Sequence, residues 1–92
     1  MKSVSRKSLP RLAPLRPSPG MDLIQLLGAN VRRQRKLKGM TQERLALDAG
    51  RERSYVSDLE RGMRNPSVRA LGRLADALGV DPKLLLDASQ ET

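Results

Sequence analysis

Cysteine and histidine are both missing from this chain of 92 residues. With them go thiol nucleophiles, disulfides, the usual zinc ligands and imidazole acid-base chemistry. Phe and Trp are missing too, and Tyr55 is the single aromatic side chain, so any core must be aliphatic. No stretch of about 18 apolar residues occurs, which leaves no membrane span. The apolar positions from Leu9 to Leu15 are interrupted by Pro10 and Pro14, which rules out a secretory segment there. The acids that remain are scattered, with neither a Gly-rich phosphate loop nor a paired-carboxylate spacing. No enzymatic activity and no metal or other cofactor is expected, and the expected location is the cytoplasm, at the nucleoid.

What is present is basic charge, unevenly distributed. The net charge is +8, and residues 1–20 carry Lys2, Arg6, Lys7, Arg11 and Arg16 with no acid, so +5 of the net +8 sits in the first fifth of the chain. Four of the six prolines (Pro10, Pro14, Pro17 and Pro19) lie there as well. Such a composition predicts a disordered basic Pro/Ser-rich tail over residues 1–20, either an arm on DNA phosphates or in the minor groove, or an ordinary solvated extension. Residues 21–92 then form one small domain, near the size at which a single core is only just sufficient.

Within that domain the apolar residues recur at helical spacing, and β-branched runs of the strand type are absent, so the expected fold class is all-α. Five helices are expected. The first runs from about Asp22 to Lys38 with Ile24, Leu27 and Val31 inward, and the second starts at the N-cap Thr41. The third spans about Glu52 to Arg61, the fourth follows Asn65-Pro66-Ser67, and a fifth opens at Asp81-Pro82. Gly39, Gly50, Gly62 and Gly79 each follow a periodic segment, as C-terminal glycines do.

Residues 41–62, TQERLALDAGRERSYVSDLERG, have the spacing of a helix-turn-helix. Ala46 falls where the second helix would cross the first, Gly50 at the turn, and Leu45, Ala49, Val56 and Leu59 on the inward face. In this register the sequence resembles the Cro and phage-repressor (XRE) type of transcriptional regulator from about Leu27 to Leu86. The motifs that carry the likeness are Arg35, Thr41-Gln42, Leu59-Glu60-Arg61-Gly62, Asn65-Pro66-Ser67 and Ala77-Leu78-Gly79-Val80. Three residues depart from the pattern: Arg51 in place of an aliphatic residue, Glu52 in place of a Ser or Thr cap, and Gln34 at a commonly apolar position.

The resemblance implies a five-helix lambda-repressor-like DNA-binding domain whose third helix enters the major groove. Base contacts are then expected from Glu52, Arg53, Ser54 and Asp58, with Arg53 the strongest candidate because a guanidinium reaches guanine O6 and N7 together. Glu52 and Asp58 either accept from cytosine or hold Arg51 or Arg53 in place. Phosphate contacts are expected from Gln42, Tyr55, Arg61, Arg64 and Asn65. Tyr55 is either a surface hydroxyl on phosphate or a half-buried ring, and Arg35 is expected to form a structural ion pair with Glu60. Leu84, expected on the outer face of the fifth helix, and Leu86 suggest a homodimer patch beside the apolar start of the first helix.

The function implied is a sequence-specific transcriptional regulator, of a type that includes phage repressors, that binds double-stranded DNA as a homodimer on a pseudo-palindrome. Alternatives are an antitoxin with a toxin as protein partner, a restriction-modification controller protein, or a nonspecific nucleic-acid-binding helper.

Overall fold

The computed structural model describes residues 19–88, with only the backbone described from 19 to 22. The tail expectation therefore lies almost wholly outside the described residues. Its boundary moves, because α1 runs from Pro19 to Leu37 and takes in Pro19 and Gly20. A proline inside a helix is costly, but at the first position its fixed φ suits the helix and its missing N–H is not needed.

Three further helices follow: α2 (Gln42–Ala49), α3 (Arg53–Glu60) and α4 (Val68–Leu78). The chain ends its described part with a 3-10 turn, Pro82–Leu86, where a fifth α-helix was expected. Among the described residues there is no strand, and no helix is long and apolar enough to cross a membrane.

Local chemistry accounts for the helix limits. Thr41 Oγ1 accepts from Arg44 N at 3.0 Å and Ser67 Oγ from Ala70 N at 3.0 Å, each satisfying an N–H that the first turn leaves unpaired. At the end of α2 the chain reverses through Gly50 at φ 71°, a left-handed conformation that a Cβ disfavours. There Arg51 N donates to Ala46 O at 2.8 Å and Gly50 N to Leu47 O at 3.2 Å. This double bond pattern closes the helix, and it recurs after α1, α3 and α4.

The core lies where the four helices meet. Val31, Leu45, Val56, Leu59, Leu74 and Leu85 are completely enclosed, and Ala46, Ala49 and Ala75 let the helices approach. Each buried leucine contributes about 1.5–3 kcal/mol relative to an exposed one. α2 packs on α3 and α4, while α1 packs on α3 and the 3-10 turn.

The last turn is tied to α1 through its carbonyls. Asn30, buried on α1, points Nδ2 at Leu85 O (2.9 Å), Asp87 O (3.1 Å) and, more distantly, Leu84 O (3.5 Å). These bonds supply partners to carbonyls at the end of the element, which its own N–H groups do not all satisfy. The tighter winding also redirects the leucines. Leu85 is enclosed as expected, but Leu84 is half-buried instead of outward, and Leu86 is the exposed one.

Candidate nucleic-acid interface

The C-terminal end of α3 is fixed by polar groups reaching across from α1 and α2. Arg35 Nε donates to Glu60 Oε2 at 2.6 Å and Nη2 donates to Oε1 at 3.0 Å, a two-pronged pair that is largely enclosed. A third prong, Nη1, donates to Met40 O at 2.8 Å, tying the α1–α2 connection into the same network. The hydrogen bonds to Glu60 raise the Arg35 pKa against the opposing effect of burial, and the carboxylate's charge raises it further. The expected structural pair is therefore present.

Gln42 joins the network, its Nε2 donating to Glu60 Oε1 at 3.1 Å. Its side chain is half-buried, so the residue expected on a phosphate also supports α3 from below. Beside this network α1 touches the backbone of α3. A Cβ built on Gly28 would lie 2.3 Å from Leu59 O, a distance that no real side chain tolerates. Gly28 thus permits the close approach of the two helices, a role not visible in the helix-turn-helix register itself.

The N-terminal end of α3 is open. Glu52, Arg53 and Ser54 are all exposed, and none has a polar side-chain partner among the described residues. Glu52 occupies the N-cap position at φ −90° and ψ 156° but makes no side-chain cap. The first N–H groups of α3 consequently have no capping side chain. Asp58, placed with these three in the sequence reading, is engaged: Arg61 Nη2 donates to Asp58 Oδ1 at 2.6 Å. Its partner is thus Arg61, one helical turn on, and neither Arg51 nor Arg53.

The flanking residues divide similarly. Arg64 and Asn65 are exposed in the loop after α3, and Arg61 is exposed although bound to Asp58. Tyr55 is half-buried against the core, the ring-packing alternative of the two. The guanidinium carbon of Arg64 lies 4.6 Å from the Tyr55 ring centroid and that of Arg51 lies 4.9 Å from it. Among the described residues no group of three acids could hold a metal ion.

Leu23, Val68 and Leu86 are exposed around a groove of about 290 Å³ that Ile24, Leu71 and, at its edge toward the loop after α3, Asn65 also line. Leu86 belongs to this apolar surface, whereas half-buried Leu84 does not line it.

Comparison with known proteins gives a consistent neighbourhood. A helix-turn-helix family model matches residues 31–85. The uncharacterized HTH-type transcriptional regulator y4dJ of Sinorhizobium fredii is 46% identical over 72 residues, covering 78% of this chain and 94% of that protein. The control protein C.BamHI of Bacillus amyloliquefaciens is 48% identical over 63 residues, covering 67% of this chain and 78% of that one. Among solved structures, the restriction-modification controller C.AhdI from Aeromonas hydrophila superposes with a TM-score of 0.70 at 38% identity, covering 74% of this chain and 99% of that one.

Proposed function

The chain belongs to the Cro and phage-repressor (XRE) family of helix-turn-helix regulators, and from that premise we propose that it is a sequence-specific transcriptional regulator acting as a homodimer on a pseudo-palindromic operator. The observation that carries the reading is the asymmetry of α3. Its far end is locked to α1 and α2, while Arg53 and Ser54 at its near end are exposed and uncommitted. A helix held this way presents unpaired donors to a major groove at no cost in broken internal bonds.

Arg53 is assigned the principal base contact and Ser54 a secondary one, with Glu52 beside them. Gln42, Arg61, Arg64 and Asn65 surround them as backbone contacts. Asp58, already bonded to Arg61, steadies that arginine in preference to reading a base.

One such helix spans few base pairs, so specificity calls for two copies. The exposed apolar groove bounded by Leu23, Val68 and Leu86 supports this reading as the surface on which the second copy would pack. The relatives named as control proteins favour a narrower version, control of a restriction-modification operon. An antitoxin role gains no support from these relatives.

Selection of bound duplexes from a random pool, using the full chain, is the test. We expect a two-fold-related consensus bound at least ~10³-fold more tightly than random duplex. Arg53→Ala should flatten preference at one position in each half-site. Leu86→Glu should give a folded monomer with weakened consensus binding, because a charge at the interface would be buried unpaired. Equal binding to every duplex would instead identify a nonspecific nucleic-acid helper, and a Leu86→Glu dimer would place the interface elsewhere. A consensus found ahead of restriction and modification genes would establish the controller role.

A further inference from the structure

Arg51 stands directly after the turn glycine, at a position where resembling regulators carry an aliphatic residue. Instead of covering the core with an apolar side chain, it brings its guanidinium carbon to 4.9 Å from the Tyr55 ring centroid, while Arg64 comes to 4.6 Å from the same centroid. Both arginines are exposed, and neither has a carboxylate partner among the described residues. The acids on this side do not neutralise them: Asp58 is bonded to Arg61, and Glu52 faces solvent without an ion pair. Two like charges are thus gathered about one ring and left uncompensated.

We infer that Arg51, Tyr55 and Arg64 form a backbone clamp for DNA, in which Arg51 supplies a phosphate contact additional to those expected of the family. The inference rests on the DNA-binding reading above. The half-buried ring is the fixed part, packed against the core. Stacking on a ring limits the freedom of each arginine, so less ordering remains when a phosphate arrives. The clamp draws one arginine from the turn before α3 and the other from the loop after it, so its two contacts bracket the helix assigned to base reading. An aliphatic residue at 51 would leave Arg64 as the only cation on the ring.

Because Arg51 is exposed, its replacement by leucine should leave the fold intact, which circular dichroism can verify. The experiment is affinity for the selected operator and for a random duplex, measured against salt, for the parent chain, Arg51→Leu, Arg51→Lys and Arg73→Leu. Arg73 is an exposed arginine on α4 and serves as a matched loss of charge. For Arg51→Leu the slope of log affinity against log salt should become shallower by about 0.9 on both duplexes. Base preference should be unchanged. Arg51→Lys should restore the slope, and Arg73→Leu should leave it as in the parent.

A parent slope retained in Arg51→Leu, with DNA binding intact, would overturn the clamp alone. So would an equal fall in Arg73→Leu, which would reduce the effect to net charge. A parent chain that binds neither duplex would overturn the DNA-binding reading and the clamp together.

Discussion

At its C-terminal end α3 is held by Glu60, whose carboxylate takes three hydrogen bonds from Arg35 and Gln42, and by the contact of Gly28 with the Leu59 and Glu60 backbone. At its N-terminal end nothing comparable exists. Glu52 makes no cap, and Arg53 and Ser54 are exposed. The difference teaches how a helix of eight residues can be both firm and available. Orientation is set by the enclosed bonds at one end, and the other end is left with exposed donors and acceptors. Each end can be altered separately, so the contrast is testable.

The strongest way to break it is at the held end. Arg35→Ala would leave the enclosed Glu60 carboxylate with Gln42 as its remaining side-chain partner, and loss of one member of a buried pair costs about 3–5 kcal/mol. In a domain this small, each kcal/mol is roughly 4–8 °C of Tm, so the variant should melt far below the parent or fail to fold. Exposed Arg32→Ala should change stability by less than about 0.5 kcal/mol. Thermal melts of the pair decide it, and equal small losses would mean that α3 is not anchored through Arg35. The sign of the pH effect also follows. A raised folded-state pKa means that the arginine's contribution is complete below its unfolded value and is lost only as pH climbs through the folded one. Both values lie beyond ordinary titration, so Arg35 should add no slope to stability near neutrality.

A smaller break is Gly28→Ala. On helix propensity alone it should stabilise by about 1 kcal/mol. The added Cβ would meet Leu59 O at 2.3 Å, however, and backbone on both sides has little room to yield. Overpacking of this kind costs about 1–3 kcal/mol, so a net loss is expected, together with weakened consensus binding as α3 shifts. A more stable variant with normal binding would show that α1 and α3 can separate freely. That outcome would remove close packing from the account of the held end.

The contrast was only half legible in the sequence. Thr41, Ser67, Gly50 and Gly79 announced the helix limits because caps and left-handed turns are local requirements, and the structure places each of them as expected. Leu45, Val56 and Leu59 followed from periodicity. The Arg35–Glu60 pair came from family likeness, since residues 25 apart carry no local sign of touching. Gly28 did carry a signal, a lone glycine inside a helical pattern, but its reason is a tertiary contact that spacing cannot supply. Asn30, polar on the inward stripe beside Leu27 and Val31, was a similar sign that went unread. Its bonds to the final carbonyls tie the 3-10 turn to α1, and the tighter winding of that turn goes with Leu86 taking the exposed place expected of Leu84. Pro19 was misread because the same residue that ends a helix inside is favoured at its first position. Arg51 on Tyr55 depends on side-chain reach around a turn, which the register alone does not fix.

The mildest change sharpens the open end. Glu52 sits at the N-cap of α3 with extended backbone angles, and although its carbonyl accepts from Tyr55 N at 2.9 Å its side chain accepts no bond from the first turn. Serine in the same conformation would place its hydroxyl within reach of the Ser54 or Tyr55 N–H, and such a cap stabilises by about 1 kcal/mol. Against that stands the carboxylate's favourable interaction with the helix N-terminus, about 0.3–1 kcal/mol, which serine would forfeit. Glu52→Ser should therefore raise stability by no more than a few tenths of a kcal/mol. It also removes a negative charge from the end of α3 proposed to meet DNA, so affinity for random duplex should rise while the melting temperature barely moves. Stability and affinity would then respond independently at this end, whereas Arg35→Ala lowers both at the other. Chemical denaturation and duplex binding on the one variant supply the check. A gain of 1 kcal/mol or more with unchanged binding would show that the missing cap was a defect of the helix and not a concession to its ligand.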